Sequence, residues 1–373
     1  MHAQIEKDIR DSMNTGKEQP GSRARELKNL RALLVELPKT EIHLHLEALA
    51  TVDTIWELMK KHGIKYDDVA NKDDLRSKFN VTSLDEFIDL YLNIIQNNFR
   101  ADEDVEYLLG DARDYLVRNN IVYAEIFFAP SKFVENGLDF KKMIEILDAG
   151  AKKILEADGR EIKFIIDVSR GFGVENAFRN LDATIANPAE NVIGIGLGGA
   201  EAVGPAKDYK DVFTKARKHG LHVVAHAGEV IGPESIWDAL TVLKAERIGH
   251  GISAIQDDKL VDHLAETMVP LEVCPTSNLF TQKYVKTLEE HPIRAFFDRG
   301  LNVTLNTDDP TIFGIDLVDE YMSLANKGFF SPAEIVQLVK NNLFATFLSQ
   351  ERKEELWQES QAIMQGYADK LPL

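Results

Sequence analysis

Eight short apolar or β-prone runs recur along the 373-residue chain: Glu41–Leu46, Val122–Ala129, Ile162–Val168, Val192–Leu197, His222–Ala227, Arg247–Ile252, Pro270–Cys274 and Asn302–Asn306. Between them lie helical stretches such as Lys141–Glu156, Asp211–His219 and Glu234–Leu243. Strands alternating with helices of this length predict βα units. Several runs, Val192-Ile193-Gly194-Ile195-Gly196-Leu197 among them, are apolar on both faces, as a parallel sheet covered on both sides requires. Eight such units predict a closed (β/α)8 TIM barrel rather than an open sheet. No glycine-rich dinucleotide fingerprint follows the first run, which weakens the open-sheet alternative.

Barrels of this size form one domain, so residues 26–373 read as a single unit. The first 25 residues are polar and broken by Asn14-Thr15-Gly16 and Gln19-Pro20-Gly21-Ser22, and read as a flexible arm. A helix over Arg23–Glu36 follows, with Leu27, Leu30, Leu33 and Leu34 at helical spacing. About 75 residues separate the first two runs, where one crossover helix needs far fewer. Thr51–Lys61, Leu84–Phe99 and Asp104–Arg118 each read as helices there. This insertion, about residues 51–120, is expected to form a lid over the C-terminal mouth of the barrel. Pro332–Ser349 and Gln350–Asp369 add terminal helices.

Forty-three basic against 61 acidic residues give a net charge of −18. Such a surface repels nucleic acid and anionic membranes. One cysteine, Cys274, excludes an internal disulfide and fits a reducing compartment. No apolar run has the length of a signal peptide or a membrane helix, so a cytoplasmic protein is expected. The sequence does not set an oligomeric state.

Four of the runs end in residues that suit one buried metal ion: Glu41-Ile42-His43-Leu44-His45, Ala225-His226-Ala227-Gly228-Glu229, Gly249-His250-Gly251 and Thr307-Asp308-Asp309-Pro310. Residues two apart on a strand share a face, so His43 and His45 point the same way. Strand ends of a barrel converge on one cavity, and imidazole with carboxylate suits a divalent ion, Zn²⁺ first. The other histidines (His2, His62, His219, His222, His263 and His291) fall away from these positions and receive no function. Each site residue also has a bland reading: Glu229 as an ion-pair partner, His250 as a loop cap, Asp309 as a turn residue before Pro310. The joint occurrence at four strand ends outweighs them.

Leu37-Pro38-Lys39-Thr40-Glu41-Ile42-His43-Leu44-His45, His226-Ala227-Gly228-Glu229, Gly249-His250-Gly251, Cys274-Pro275-Thr276-Ser277-Asn278 and Thr307-Asp308-Asp309-Pro310 resemble the adenosine deaminase family, in order, from about Leu37 to Phe347. The resemblance implies a metal-dependent barrel of the amidohydrolase group. It implies His43, His45, His226 and Asp308 as ligands of one Zn²⁺ per chain, Glu229 as proton donor, His250 as the residue beside the metal-bound water, and Asp309 as a purine contact. It also implies that the Gly199 backbone N–H meets the purine. The chemistry agrees: three imidazoles and a carboxylate leave zinc room for water, whose pKa coordination can bring to about 7. His250 can then accept the water's proton or hold the hydroxide in line. A cysteine-rich zinc site is excluded by the single cysteine. The segment Gly196–Glu201 lacks the lysine a binuclear centre needs.

Two departures concern the substrate. Ala200 stands where family members commonly carry aspartate. Glu47-Ala48 stands where adenosine-specific members carry Asp-Gly, with the aspartate on the sugar. Glu47 therefore reads as an altered sugar contact. Arg170 could meet an anionic substrate group, or pair with Glu47 or another acid. The reading is zinc-dependent hydrolytic deamination of a 6-aminopurine compound, adenosine first, with adenine, a 5′-substituted adenosine or an adenine nucleotide (cyclic adenylate included) left open. A metal-dependent amide or ester hydrolase and a non-catalytic binding barrel are the alternatives.

Overall fold

The computed structural model describes residues 20–373. Eight parallel strands occur in sequence order around one sheet: β1 Lys39–His45, β2 Ile121–Phe128, β3 Glu161–Asp167, β4 Val192–Leu197, β5 His222–Ala227, β6 Arg247–His250, β7 Leu271–Val273 and β8 Val303–Leu305. Each strand pairs with the next in parallel. A bridge between Leu44 and Asp308 brings the last strand back to the first. The expected (β/α)8 barrel is the fold, and every expected strand is present to within a few residues. The last two are shorter than expected, at three residues each.

So short a β8 leaves backbone groups to be satisfied by side chains. Asn342, on the helix Pro332–Ala345, accepts from Leu305 N–H (2.7 Å) and donates to Leu305 C=O (2.7 Å). The Asn306 side chain accepts from Ile42 N–H on β1 (3.1 Å). Glu41 accepts from Thr307 N–H and hydroxyl, at 2.8 and 2.7 Å. Hydrogen bonds from buried asparagine and glutamate thus replace ladder bonds at the seam.

Parallel partners share a face, so Phe127, Ile165 and Val224 point inward and form a small cluster inside the barrel. Two residues beyond Ile165 on the same strand, Asp167 points inward at the mouth. Gly194 and Gly196 occupy the inward row of β4. A Cβ on Gly196 would lie 2.8 Å from the Phe127 ring, so the aromatic floor requires glycine there.

The long β1–β2 connection divides. Val52–His62, a further helix Lys72–Lys78, and Leu84–Asp89 precede a π-helical turn over Leu90–Ile95 and a 3₁₀ turn over Gln96–Asn98. The helix expected over Leu84–Phe99 is therefore three pieces, and a π turn of this kind is frequent near functional sites. Phe87 stacks on Phe313 after β8 (5.9 Å, 12°) and meets Phe280 after β7 (6.0 Å). Val105–Arg118 instead packs on β2 and on the helix Phe140–Asp158, as an ordinary crossover helix. Of the expected N-terminal arm, residues 1–19 lie outside the described residues, and Pro20–Arg25 begin the helix Pro20–Glu36. Among the described residues no helix is long and apolar enough to cross a membrane.

The seam offers a stability test. Asn342→Ala strands the N–H and C=O of Leu305 in a fully buried position, and an unsatisfied buried group costs about 1–3 kcal/mol. A loss of about 2–4 kcal/mol is expected in urea unfolding followed by circular dichroism.

Candidate active site

The closing bridge defines the site. His45 N–H donates to Asp308 C=O (3.1 Å), and Asp308 N–H donates to His43 C=O (3.2 Å). The three side chains are therefore delivered to one point by backbone pairing. Asp308 Oδ1 lies 3.4 Å from His43 Nε2 and 3.2 Å from His45 Nε2. His45 Nε2 lies 3.3 Å from His226 Nε2, which β5 supplies. Asp308 and His250 hold their backbones at φ +65° and +60°. Non-glycine residues rarely adopt this region, and such strain concentrates at functional sites.

The donor set fits a metal ion. His43 Nδ1–H donates to Glu272 (2.7 Å), which leaves a lone pair on His43 Nε2. That atom is buried and has no hydrogen-bond partner. Donors 2.0–2.1 Å from a tetrahedral zinc are spaced about 3.3–3.4 Å apart, the spacing seen here. Glu272 is itself held by Arg247 Nε (2.5 Å), and Arg247 pairs with Glu125 (2.5 Å), all in the barrel interior. Such outer partners orient a ligating imidazole and set its tautomer. Asp308 groups with His43, His226 and His250 on one side and with His45 and Asp309 on the other.

Glu229 and His250 face each other across this cluster, 3.6 Å apart, with His250 Nε2 3.9 Å from Asp308 Oδ2. Burial, with the nearby Asp308 and Glu201 carboxylates, pushes Glu229 up to about 8. Burial also lowers His250 to about 3, so its ring is neutral. Asp309 is buried, and its Oδ1 has no partner. Gly199 is exposed at the mouth with φ +79°, and a Cβ there would strike Ser169 Oγ at 2.8 Å. Only glycine suits that turn.

Two of the expected substrate contacts also have protein partners. Glu47 is fully buried and accepts from Ala129 N–H (2.8 Å), Gln96 Nε2 (3.2 Å) and Tyr91 hydroxyl (3.1 Å). It ties the inserted block to the end of β2, and all three of its hydrogen bonds are to protein groups. Arg170, 1 % exposed, donates to the carbonyls of Gly204 (2.6 Å) and His226. It braces the β5 end; of the readings open from the sequence, a pair with Glu47 is not among its hydrogen bonds, and its Nε is buried without a partner.

Several residues went unmarked in the sequence. Glu201 accepts from the N–H groups of Gly228 (2.6 Å), Glu229 (3.1 Å), Val230 (2.9 Å) and Ile231 (3.0 Å), and from the Ser235 hydroxyl. A carboxylate in such a nest of amides fixes the loop that carries Glu229. Asn278 Nδ2 lies 3.1 Å from His250 Nδ1, and Asn278 Oδ1 lies 3.2 Å from His291 Nε2. His291, given no function from the sequence, is thus linked to the site. Asp167 Oδ1 is buried without a partner at the mouth. A position two beyond an inward hydrophobe was the available signal for Asp167. None existed for Glu201, whose partners are backbone.

Inward imidazoles and carboxylates around a common point, at the C-terminal mouth of a barrel, define a metal-dependent hydrolase site. The adenosine deaminase family model matches residues 38–363. An aminodeoxyfutalosine deaminase of Streptomyces avermitilis is 37 % identical over 327 residues, covering 86 % of this chain and 89 % of its own. An adenine deaminase of Crocosphaera subtropica is 32 % identical, covering 88 % and 99 %. The crystal structure of adenine deaminase from Arthrobacter aurescens superposes with a TM-score of 0.82 at 31 % identity, covering 88 % and 99 %. The chain belongs to the adenosine deaminase family, whose members are hydrolytic deaminases acting on purines.

Glu201→Gln would set an amide NH₂ either against the three N–H groups of Glu229, Val230 and Ile231 or against Gly228 N–H and the Ser235 hydroxyl, and so loosen the Glu229 loop. Turnover is expected to fall at least about tenfold with the fold retained, since a hydrogen bond to a charged group contributes roughly 1.5–3 kcal/mol. Circular dichroism and steady-state rates measured together check this.

Proposed function

We propose that this enzyme removes the 6-amino group of an adenine derivative other than adenosine, with one zinc ion held by His43, His45, His226 and Asp308. The observation that carries the reading is the chain of close donors beside Glu229: Asp308 Oδ1 lies 3.4 Å from His43 Nε2 and 3.2 Å from His45 Nε2, and His45 Nε2 lies 3.3 Å from His226 Nε2. His250 also groups with His43, His226 and Asp308, but His45 is assigned to the set because its Nε2 lies 3.2 Å from Asp308, against 3.9 Å for His250 Nε2. Zinc in this site supplies Lewis acidity that makes water nucleophilic near neutral pH.

The remaining roles fall to the chain's own groups. Glu229, kept protonated by burial against a dication's opposing pull, gives a proton to ring N1. Asp309, across the cluster from Glu229, hydrogen-bonds the other flank of C6, where N7 lies. Gly199 N–H meets the ring edge on the β4 side. The block carrying Phe87 and Tyr91 serves as the lid and excludes water.

The sugar side supports a substrate other than adenosine. Glu47, the candidate sugar contact, has its carboxylate bonded to Ala129, Gln96 and Tyr91. A pocket built for one hydroxyl pairs it with a free group. The aminodeoxyfutalosine deaminases share 37 % identity with this chain, against 31–34 % for the adenine deaminases compared. Aminodeoxyfutalosine is therefore the first candidate and adenine the second.

An ultraviolet assay on aminodeoxyfutalosine, adenine, adenosine, 2′-deoxyadenosine, other 5′-substituted adenosines and linear and cyclic adenine nucleotides tests this. Adenosine is expected to rank below the best substrate in kcat/KM, and its winning by a wide margin would overturn the substrate reading. Inactivity on every 6-aminopurine would favour the amide or ester hydrolase.

Two variants separate ligand from acid. His226→Ala is expected to lose both zinc and activity. Glu229→Gln is expected to keep zinc and purine-analogue binding while turnover falls by roughly 10²–10⁴. Zinc loss in Glu229→Gln would make Glu229 a ligand instead.

A further inference from the structure

Ile293 N–H donates to His291 Nδ1 (3.1 Å). A backbone amide can only donate, so the direction of this bond is fixed, and the ring proton of His291 sits on Nε2. His291 is 5 % exposed, and burial keeps it neutral. Its Nε2–H must then donate to Asn278 Oδ1 at 3.2 Å, which sets the orientation of that amide. The Asn278 NH₂ in turn faces His250 Nδ1 at 3.1 Å. An amide nitrogen cannot accept, so His250 Nδ1 is the acceptor and its ring proton sits on Nε2. That Nε2–H points into the site between Glu229 Oε2 (3.6 Å) and Asp308 Oδ2 (3.9 Å). Asn278 and His250 are 0 % and 1 % exposed, so water does not compete for these bonds.

We propose that Ile293 N–H, His291 and Asn278 form a one-way hydrogen-bond relay that holds His250 as the neutral Nε2–H tautomer. During deamination His250 then donates a hydrogen bond to the attacking oxygen, whose first proton passes to the neighbouring Asp308 carboxylate to replace the one Glu229 gives to N1, while its second leaves with the ammonia. The catalytic half rests on the deaminase reading above, whereas the relay itself rests on the hydrogen bonds alone. His291 and Asn278 are positioning residues, acting through His250. The relay also explains why a histidine so close to the donor cluster is no ligand: its only free ring nitrogen carries a proton.

The test uses zinc-loaded protein with ¹⁵N-labelled histidine. Long-range ¹H–¹⁵N correlation distinguishes the two neutral tautomers from imidazolium, and His250→Gln identifies the His250 signals by their loss. The wild type is expected to show His250 as Nε2–H. Asn278→Asp keeps the side-chain shape but accepts from both rings, so His250 should switch to Nδ1–H. With the donor into the site removed, kcat is expected to fall by roughly 10²–10³, the cost of losing one donor to a developing oxyanion. Zinc content and KM should change little, which a merely structural role for Asn278 would not produce.

A wild-type His250 found as Nδ1–H or imidazolium overturns the relay. A switched tautomer in Asn278→Asp with unchanged kcat overturns the catalytic half. If Asn278→Asp does not fold, His291→Ala removes the anchor and is expected to give a mixture of His250 tautomers with a smaller loss of kcat. A single unchanged tautomer there would count against the relay. An Nε2–H wild type that deaminates no 6-aminopurine leaves the relay standing and removes the proposed reaction.

Discussion

The backbone pairing of β1 with the segment after β8 is the constraint on which the site depends. One pair of hydrogen bonds, between His43, His45 and Asp308, both returns the barrel to its first strand and delivers three of the proposed donors. Barrel closure and donor geometry are therefore one event. The short β8 and the positive φ of Asp308 are consequences: the chain must leave the sheet sharply for its carboxylate to turn back over the strand ends. Strain at Asp308 and His250 is held by the packing of the whole barrel rather than by local sequence.

Buried carboxylates hold the remainder together. Six glutamates, Glu41, Glu47, Glu125, Glu201, Glu272 and Glu320, are buried. Glu41 secures the seam, Glu47 the inserted block, Glu201 the Glu229 loop, and Glu272 the first histidine. Each accepts hydrogen bonds from groups that would otherwise be stranded, the condition under which a buried charge is tolerated. The acidic composition, which reads as surface charge, thus includes an internal framework. In that framework Glu125, Arg247 and Glu272 join the floor of the barrel to His43.

Aromatic contacts between Phe87 and Phe280 and Phe313 bring the inserted block onto the loops after β7 and β8, across the closing seam from β1. Tyr91 and Gln96 reach the same place through Glu47. The block is thus pinned on both sides of its π turn by groups from distant parts of the chain.

The sequence by itself determined the eight strands, their order, and the histidines and aspartates at their ends, because a period of two and strand-end positions are local patterns that survive without coordinates. It could not determine the fate of Glu47, since a carboxylate one residue beyond a strand can turn toward a ligand or toward a neighbouring loop. Only the tertiary structure decided that it turns to Ala129, Gln96 and Tyr91. Arg170, Glu201 and His291 were undecidable for the same reason: apart from the Ile293 amide beside His291, their partners are backbone groups or side chains 13 to 56 residues away. Periodicity records which face a residue occupies. Hydrogen-bond direction depends on which groups the folded chain places opposite it, and that exists only once the barrel has closed.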